Sequence, residues 1–343
     1  MIRGFFLSVN KSEIYDKPFQ TYDQLLINLE SKNIIIDNRE LALRTLSNQS
    51  YYGIVNGYKN MFPTDISGDK FTIPVKFTDL YAVQLIDVNL SSVILKYILY
   101  IEKSLKSKIS YIVAQNYGVF TDETDLNNLD IDDYLNETHY SRSTGRRKAV
   151  TRRLKEDITK HPTATIKHYM KTKNHLPPWI ITTNIPFGDM IQWYSILLDD
   201  DKTYVTEEFV QNPSITIEDK KEFLRKAFDL LKEYRNTYAH GNRTFNTTMS
   251  SSLPKRQTLI LFNGMVGENE YKSGRGKNDI YSVILILIEL LNDNYLISSL
   301  IYDLQLVFSP YSNSKIAGKS ILETFTLPDD LFDRLPQIDR IIS

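Results

Sequence analysis

Apolar residues recur at helical spacing along most of the chain. Leu25, Leu26 and Leu29 follow Thr21, a predicted N-cap with Gln24 three residues on as its capping-box partner. Asp37 is predicted to cap a second helix, with Glu40 three residues later and Leu41, Leu43 and Leu46 behind it. From Thr78 to about Tyr117 the pattern (Leu80, Val83, Ile86, Ile94, Ile98, Ile101, Leu105, Ile109) predicts one long helix or a broken pair, ending at Gly118. Glu102 and Lys106 lie four apart in it and read as a surface ion pair. The helical pattern resumes at Lys148 to Tyr169 and stops sharply at Leu176-Pro177-Pro178-Trp179. It returns at Phe187 to Leu198, Ile217 to His240 and Ile280 to Phe308, with a short helix near Asp329.

Two stretches break this pattern. Phe71 to Val75 reads as a short extended piece. Thr258 to Phe262 is β-like, and Gly264, Gly267 and Gly274 punctuate the residues after it, so a small hairpin or loop is expected there. The predicted fold is therefore all-α with a small β-like insertion near 255–275. We divide it into an N-terminal helical module (1–75), a helical core (76–310) and a C-terminal tail (311–343). The core carries an acidic/basic insertion at about 119–160 and a hairpin or loop insertion at about 250–276.

Composition narrows the chemistry. The 343 residues contain no cysteine, which removes disulfides, thiolate nucleophiles, iron–sulfur clusters and Cys-based zinc sites. Among the five histidines no H-E-x-x-H pair occurs; His161 and His168 are seven apart beside Pro162, so no metal and no cofactor is expected. The most apolar segment, Ile280 to Leu291, falls short of the roughly 20 residues a spanning helix needs and contains Glu289, so it reads as a buried helix. With no secretory signal legible at Met1 to Asn10, the expected location is cytoplasmic, without a membrane partner.

The net charge of −1 hides an uneven arrangement. Asp122 to Glu137 holds seven acidic residues and no Lys or Arg; Arg142 to Lys155 holds seven basic residues and no acid. Such a basic block attracts phosphate backbones, which makes Arg142, Arg146, Arg147, Lys148, Arg152 and Arg153 candidate RNA contacts. A solvated face neutralised by the acidic block is the equally open alternative.

The most informative stretch is Tyr234 to Arg243, YRNTYAHGNR. Asn236 and His240 are four apart and share a helix face; Arg235 can swing a long guanidinium to the same place. Gly241 is a natural residue to come after a helix end, which would put His240 in the last turn, where the carbonyl end of the helix favours a cation. An Arg and a His, with no metal or thiol, suffice to cleave a phosphodiester that carries its own nucleophile, and RNA is such a substrate. His240 would be general base or general acid, Arg235 the phosphate clamp, and Asn236 an orienting group. Spacing alone leaves structural packing of these residues open.

Several segments in order resemble a known family. KPFQTYDQLLINLESKNIIID (17–37) and LSNQSYYGIVNGYKNMF (46–62) are similar to the opening of the Abi-like phage-resistance proteins, the AbiD/AbiF group. IEKSLKSKISYIVAQNYG (101–118) resembles their first core helix, and LPPWIITTNIPFGDMIQWYSIL (176–197) their Pro-Pro-Trp and Phe-Gly segment. YRNTYAHGNR falls where that family carries its Arg-Asn…His motif. The resemblance covers roughly residues 15 to 245. It implies a HEPN-like helical bundle, a metal-independent endoribonuclease in abortive infection or toxin–antitoxin biology, homodimeric pairing of active sites, and association with a small non-coding RNA. Arg235, Asn236 and His240 carry over as catalytic residues, with Arg243 as a further phosphate contact. Gly241 departs from the family, whose members often have a second His or a bulky residue there. Two other readings are a non-catalytic RNA-binding protein of the same fold and a protein-interaction module in which Arg235 and His240 pack structurally.

Overall fold

The computed structural model describes residues 17–119, 133–143, 145–240 and 243–335. Helix makes up 64% and strand 3%, so the fold is all-α. The chain forms two compact units: Met1–Val88 with Lys315–Lys319, and Asn89–Ser314 with Ser320–Ser343. The division falls inside a continuous helix, where no shift in composition marks it.

In the first unit α1 (Tyr22–Ser31) starts on the expected capping box. Gln24 N donates to Thr21 Oγ1 at 3.3 Å and Thr21 N to Gln24 Oε1 at 2.8 Å. The cap of α2 (Arg39–Tyr51) is one residue later than the pattern suggests: Asn38 Oδ1 accepts Leu41 N at 3.0 Å. Asp37 instead accepts Thr78 N and Thr78 Oγ1, at 3.3 and 2.5 Å, a long-range bond that spacing cannot reveal. Of the expected extended piece, the strand proper is β2 (Val75–Lys76), which pairs in parallel with β1 (Ile34–Ile35). A π-helical turn comes after α2 at Tyr52–Asn56, and buried Tyr58 donates to Asp87 at 2.9 Å.

The long apolar pattern is one unbroken helix, α3 (Phe77–Asn116), which ends before Gly118 at φ +92°. By length and apolarity α3 could cross a membrane. Ile94, Ile98, Ile101, Leu105 and Ile109 on it are at most 1% exposed, as expected for a core helix. The Glu102–Lys106 pair forms at 2.9 Å, but the two side chains are 11% and 19% exposed, so it is an inner pair and not the expected surface one.

The rest of the second unit is helical: α4 (Arg147–Lys160), α5 (Ala164–Thr172), α6 (Pro178–Ile181), α7 (Phe187–Ile196), α8 (Asp199–Glu207) and α9 (Ile217–Ala239). Pro162 and the Thr163 cap split the predicted 148–169 helix into α4 and α5. The expected β-like insertion near 255–275 is not extended. It forms α10 (Lys255–Leu261) and α11 (Glu268–Lys272). Pro254 precedes the first turn of α10, and Thr258 Oγ1 returns to its carbonyl at 2.8 Å. Gln257 donates to Asp219 and Glu222 of α9, and Phe262 lies against Phe223. A five-residue β-favouring run has no strand partner here, and packing on α9 decides its conformation. Helix α12 (Ile280–Leu291) is buried from Ile280 through Leu290, as its all-round apolarity predicts; Asn292, at φ +48°, turns the chain into α13 (Asn294–Phe308).

Candidate active site

Helix α9 presents the motif. Thr216 caps it by accepting Asp219 N at 3.2 Å, and Glu218 and Asp219 place negative charge at its N-terminal end. Phe223, Leu224, Ala227, Phe228, Leu230, Leu231 and Tyr234 form its buried stripe. Phe187, Tyr194 and Phe209 meet the Phe228 ring edge to face at 5.4–6.2 Å, which seats α9 against α7 and α8.

The stripe ends at Tyr234, and the next residues turn outward. Arg235 is half-buried, while Asn236 and His240 are exposed. Arg235 Nη1 donates to Asn236 Oδ1 at 3.3 Å. His240 is the C-cap residue, one position past the helix proper; its backbone N–H reaches Asn236 O at 3.1 Å. The backbone therefore ties Asn236 to His240, and a side-chain bond ties Asn236 to Arg235. Among the described residues the His240 ring has no hydrogen-bond partner, and it stands open to solvent. The expected role of Gly241 falls outside the described residues.

Two tyrosines anchor this helix end through hydroxyl contacts that spacing does not reveal. Tyr234 Oη contacts Ser91 Oγ and Thr244 Oγ1, both at 3.2 Å, and Ser91 and Thr244 also bond each other. Tyr238 Oη shares a hydrogen bond with Ser92 Oγ at 2.8 Å. The chain beyond the motif folds back along α9: Ser250 N and Oγ both donate to Glu233, at 2.7 and 2.8 Å. Phe245 packs on Phe325 at 5.0 Å. Arg243 is thus an exposed side chain on a segment fixed at Thr244 and Phe245, near the motif. The one sequence signal for this anchoring is the Ser91-Ser92 pair between Leu90 and Val93 of α3.

The basic block does not join this site. Arg142 is exposed, Arg146 donates to Gln192 at 3.3 Å, and Arg147 to the Tyr140 carbonyl at 3.4 Å. Lys155, the last residue of the block, is fully buried. Lys148, Arg152 and Arg153 line a groove of ≈890 Å³ on α4, together with Lys160, His161 and Asn184. None of the groove's lining residues belongs to α9. His168, the other member of the spaced histidine pair, contacts Thr172 at 3.3 Å. Of the acidic block, residues 122–132 lie outside the described residues.

A family model described as "Abi-like protein" matches residues 44–246, more than half of the chain. The match starts within α2 and ends just beyond Arg243, so the whole motif lies inside it. No curated protein and no solved structure matches the chain.

Proposed function

The chain belongs to the Abi-like family, and from that premise we propose that it is a bacterial phage-defence protein: a HEPN-type endoribonuclease acting in abortive infection or as a toxin. Its RNA substrate brings its own nucleophile, the 2′-hydroxyl next to the scissile phosphate. The O2′–P bond forms as the P–O5′ bond breaks, leaving a 2′,3′-cyclic phosphate and a 5′-hydroxyl. One proton leaves O2′ and one arrives at O5′. His240 serves one of these transfers. Arg235 holds the phosphate and offsets the charge that builds on its oxygens. Asn236 orients the guanidinium through its side-chain carbonyl.

One chain supplies one imidazole for two proton transfers. A homodimer that brings two motifs together supplies the second, and this is the working unit we propose. Cytoplasmic location and a small non-coding RNA partner belong to the same reading.

The observation that carries it is the exposed pair Asn236 and His240 with half-buried Arg235 beside them, at the end of a helix whose apolar stripe is buried and pinned. Packing as the purpose of the motif would require the Arg235 and His240 side chains both to be buried against protein partners. The test is incubation of wild type and His240→Ala with total cellular RNA in EDTA. Cleavage by wild type alone, with cyclic-phosphate ends, is expected; equal cleavage by both sinks the assignment. The α4 groove favours a second reading, RNA binding without cleavage, under which neither protein cuts while both bind.

A further inference from the structure

The groove on α4 has a chemistry of its own. Lys148, Arg152, Glu156 and Lys160 succeed one another at four-residue intervals, so they form a row along one helix face, about 6 Å apart in rise. Arg153 and Asp157 lie one step round the helix, and Asn184 and Pro186, just before α7, form the opposite wall. Asn184 Nδ2 donates to the Asp157 carbonyl at 2.5 Å and so holds wall to helix. His161 closes one end.

Pairing inside the groove decides what it can take. Glu156 bridges Arg152 at 3.3 Å and Lys160 at 2.7 Å. Asp189 of α7 holds Arg153 at 2.7 Å. Lys148 has no carboxylate partner among the described residues. A lone phosphate therefore meets a single uncommitted cation and competes with an internal carboxylate for each of the others. A strand of phosphates laid along α4 meets Lys148, Arg152 and Lys160 at once, and many weak screened contacts sum. The groove is open and long, which also suits a strand better than a compact ligand.

We propose that this groove grips the sugar–phosphate backbone of an RNA strand, as a contact region separate from the Arg235/His240 motif. The choice of RNA rests on the function proposed above; the preference for a phosphate polyanion rests on the groove alone. Glu156 then acts as a built-in competitor that keeps binding weak and reversible.

The probe is a labelled 12-nucleotide 2′-O-methyl RNA, which has no free 2′-hydroxyl to attack, bound to the full chain and followed by fluorescence anisotropy over a salt series. The double variant Lys148→Gln/Arg152→Gln changes two exposed side chains, and circular dichroism checks its fold. It is expected to bind roughly tenfold or more weakly, with a log K against log salt slope shallower by about 1–2. Glu156→Gln is expected to bind several-fold more tightly. Unchanged affinity and slope in the double variant overturn the proposal. Displacement by inorganic phosphate at equal phosphate concentration also overturns it, in favour of a single-anion pocket. Equal displacement by poly-glutamate overturns it in favour of an acidic protein partner. Cleavage assayed in parallel keeps the two proposals apart. Binding lost in the double variant while His240→Ala still cleaves sinks only the catalytic assignment. Binding unchanged there while His240→Ala is inactive sinks only the groove.

Discussion

Helices α4 and α9 both pack on α7, and both are rich in charge, yet Arg152 and Arg153 of α4 and Arg235 of α9 are held in opposite ways. On α4, Arg152 and Arg153 are each bonded to a carboxylate. On α9 two lysines are paired in the same way: Lys221 meets Asp199 and Glu218, and Lys232 meets Asp229. Arg235 is held differently. Its side-chain bond among the described residues is to the neutral amide of Asn236. A guanidinium held by an amide is oriented without being neutralised, so its charge remains for a phosphate. A guanidinium held by a carboxylate must exchange one anion for another. The number of basic residues therefore says less about chemistry than the identity of their partners. It makes α9's end a candidate for transition-state stabilisation and the α4 groove a candidate for weak, additive backbone contact.

The largest effect should come from breaking the α9 end. Arg235→Ala and His240→Ala are each expected to lower RNA cleavage by at least about 10²-fold, the usual cost of removing a charge-stabilising donor or an acid–base group. Arg235→Lys should recover little, because an ammonium lacks the planar fork that the Asn236 carbonyl and a phosphate can share. Initial rates on a defined RNA give the measure. Full activity in Arg235→Lys would show that charge alone matters and that the amide partner is incidental.

Next is the pin beneath the motif. Tyr234→Phe removes a hydroxyl held between Ser91 and Thr244 at a buried position, and should cost about 1–2 kcal/mol in urea unfolding. Ser91 and Thr244 retain their bond to each other, which limits the loss. A value near zero would mean that the end of α9 is held by its apolar stripe and not by this hydroxyl cluster.

On α4 the carboxylates themselves should be measurable. Burial, then the charge of nearby Asp189, push Asp157 up to about 6 from the ordinary carboxyl value. The native state then holds a proton that the unfolded chain releases at lower pH, so this group lowers stability as pH rises from about 4 to about 6, and the cost is full above that. Asp157→Asn should therefore stabilise the protein at pH 7.5 and have no effect at pH 4. Asp157 is only partly buried, so the gain after screening is about 1 kcal/mol or less. Equal stabilisation at both pH values would show that the effect is packing rather than charge.

Local chemistry was legible in the sequence, and long-range partnership was not. The Thr21–Gln24 capping box, the helical run of α3 and the amphipathic α9 come from periodicity and cap residues a few positions apart, though periodicity left open whether α3 is one helix or two. The helical form of 258–261 is not legible in the sequence, because a short apolar run suits either conformation until α9 supplies contacts. Lys155 sits in a run that reads as solvated but faces the core, and the Glu102–Lys106 pair has the right spacing and the wrong depth. The same limit applies to the site. Arg235, Asn236 and His240 announce themselves within one turn of helix. The Ser91 and Ser92 that hold their neighbours are more than 140 residues away, and no periodicity connects them.

Tyr238 gives the smallest and most discriminating test. Its hydroxyl bonds Ser92 where solvent reaches, so Tyr238→Phe should change unfolding stability by about 0.5 kcal/mol or less. Its place is different from that of Tyr234: it lies between Asn236 and His240 in the chain and ties the last helical turn to α3. If that tie sets the direction in which Arg235 and His240 point, kcat should fall several-fold while KM and the melting temperature hardly move. If the bond is only a surface contact, all three should stay put. Ser92→Ala, which removes the same bond from the other side without touching α9, should then reproduce the kcat loss. Disagreement between the two variants would locate the effect in the phenol itself and away from the hydrogen bond. Agreement would show that the difference between α4 and α9 extends beyond charge, since α9 holds Arg235 in a fixed geometry whereas the α4 groove only gathers its cations along one face.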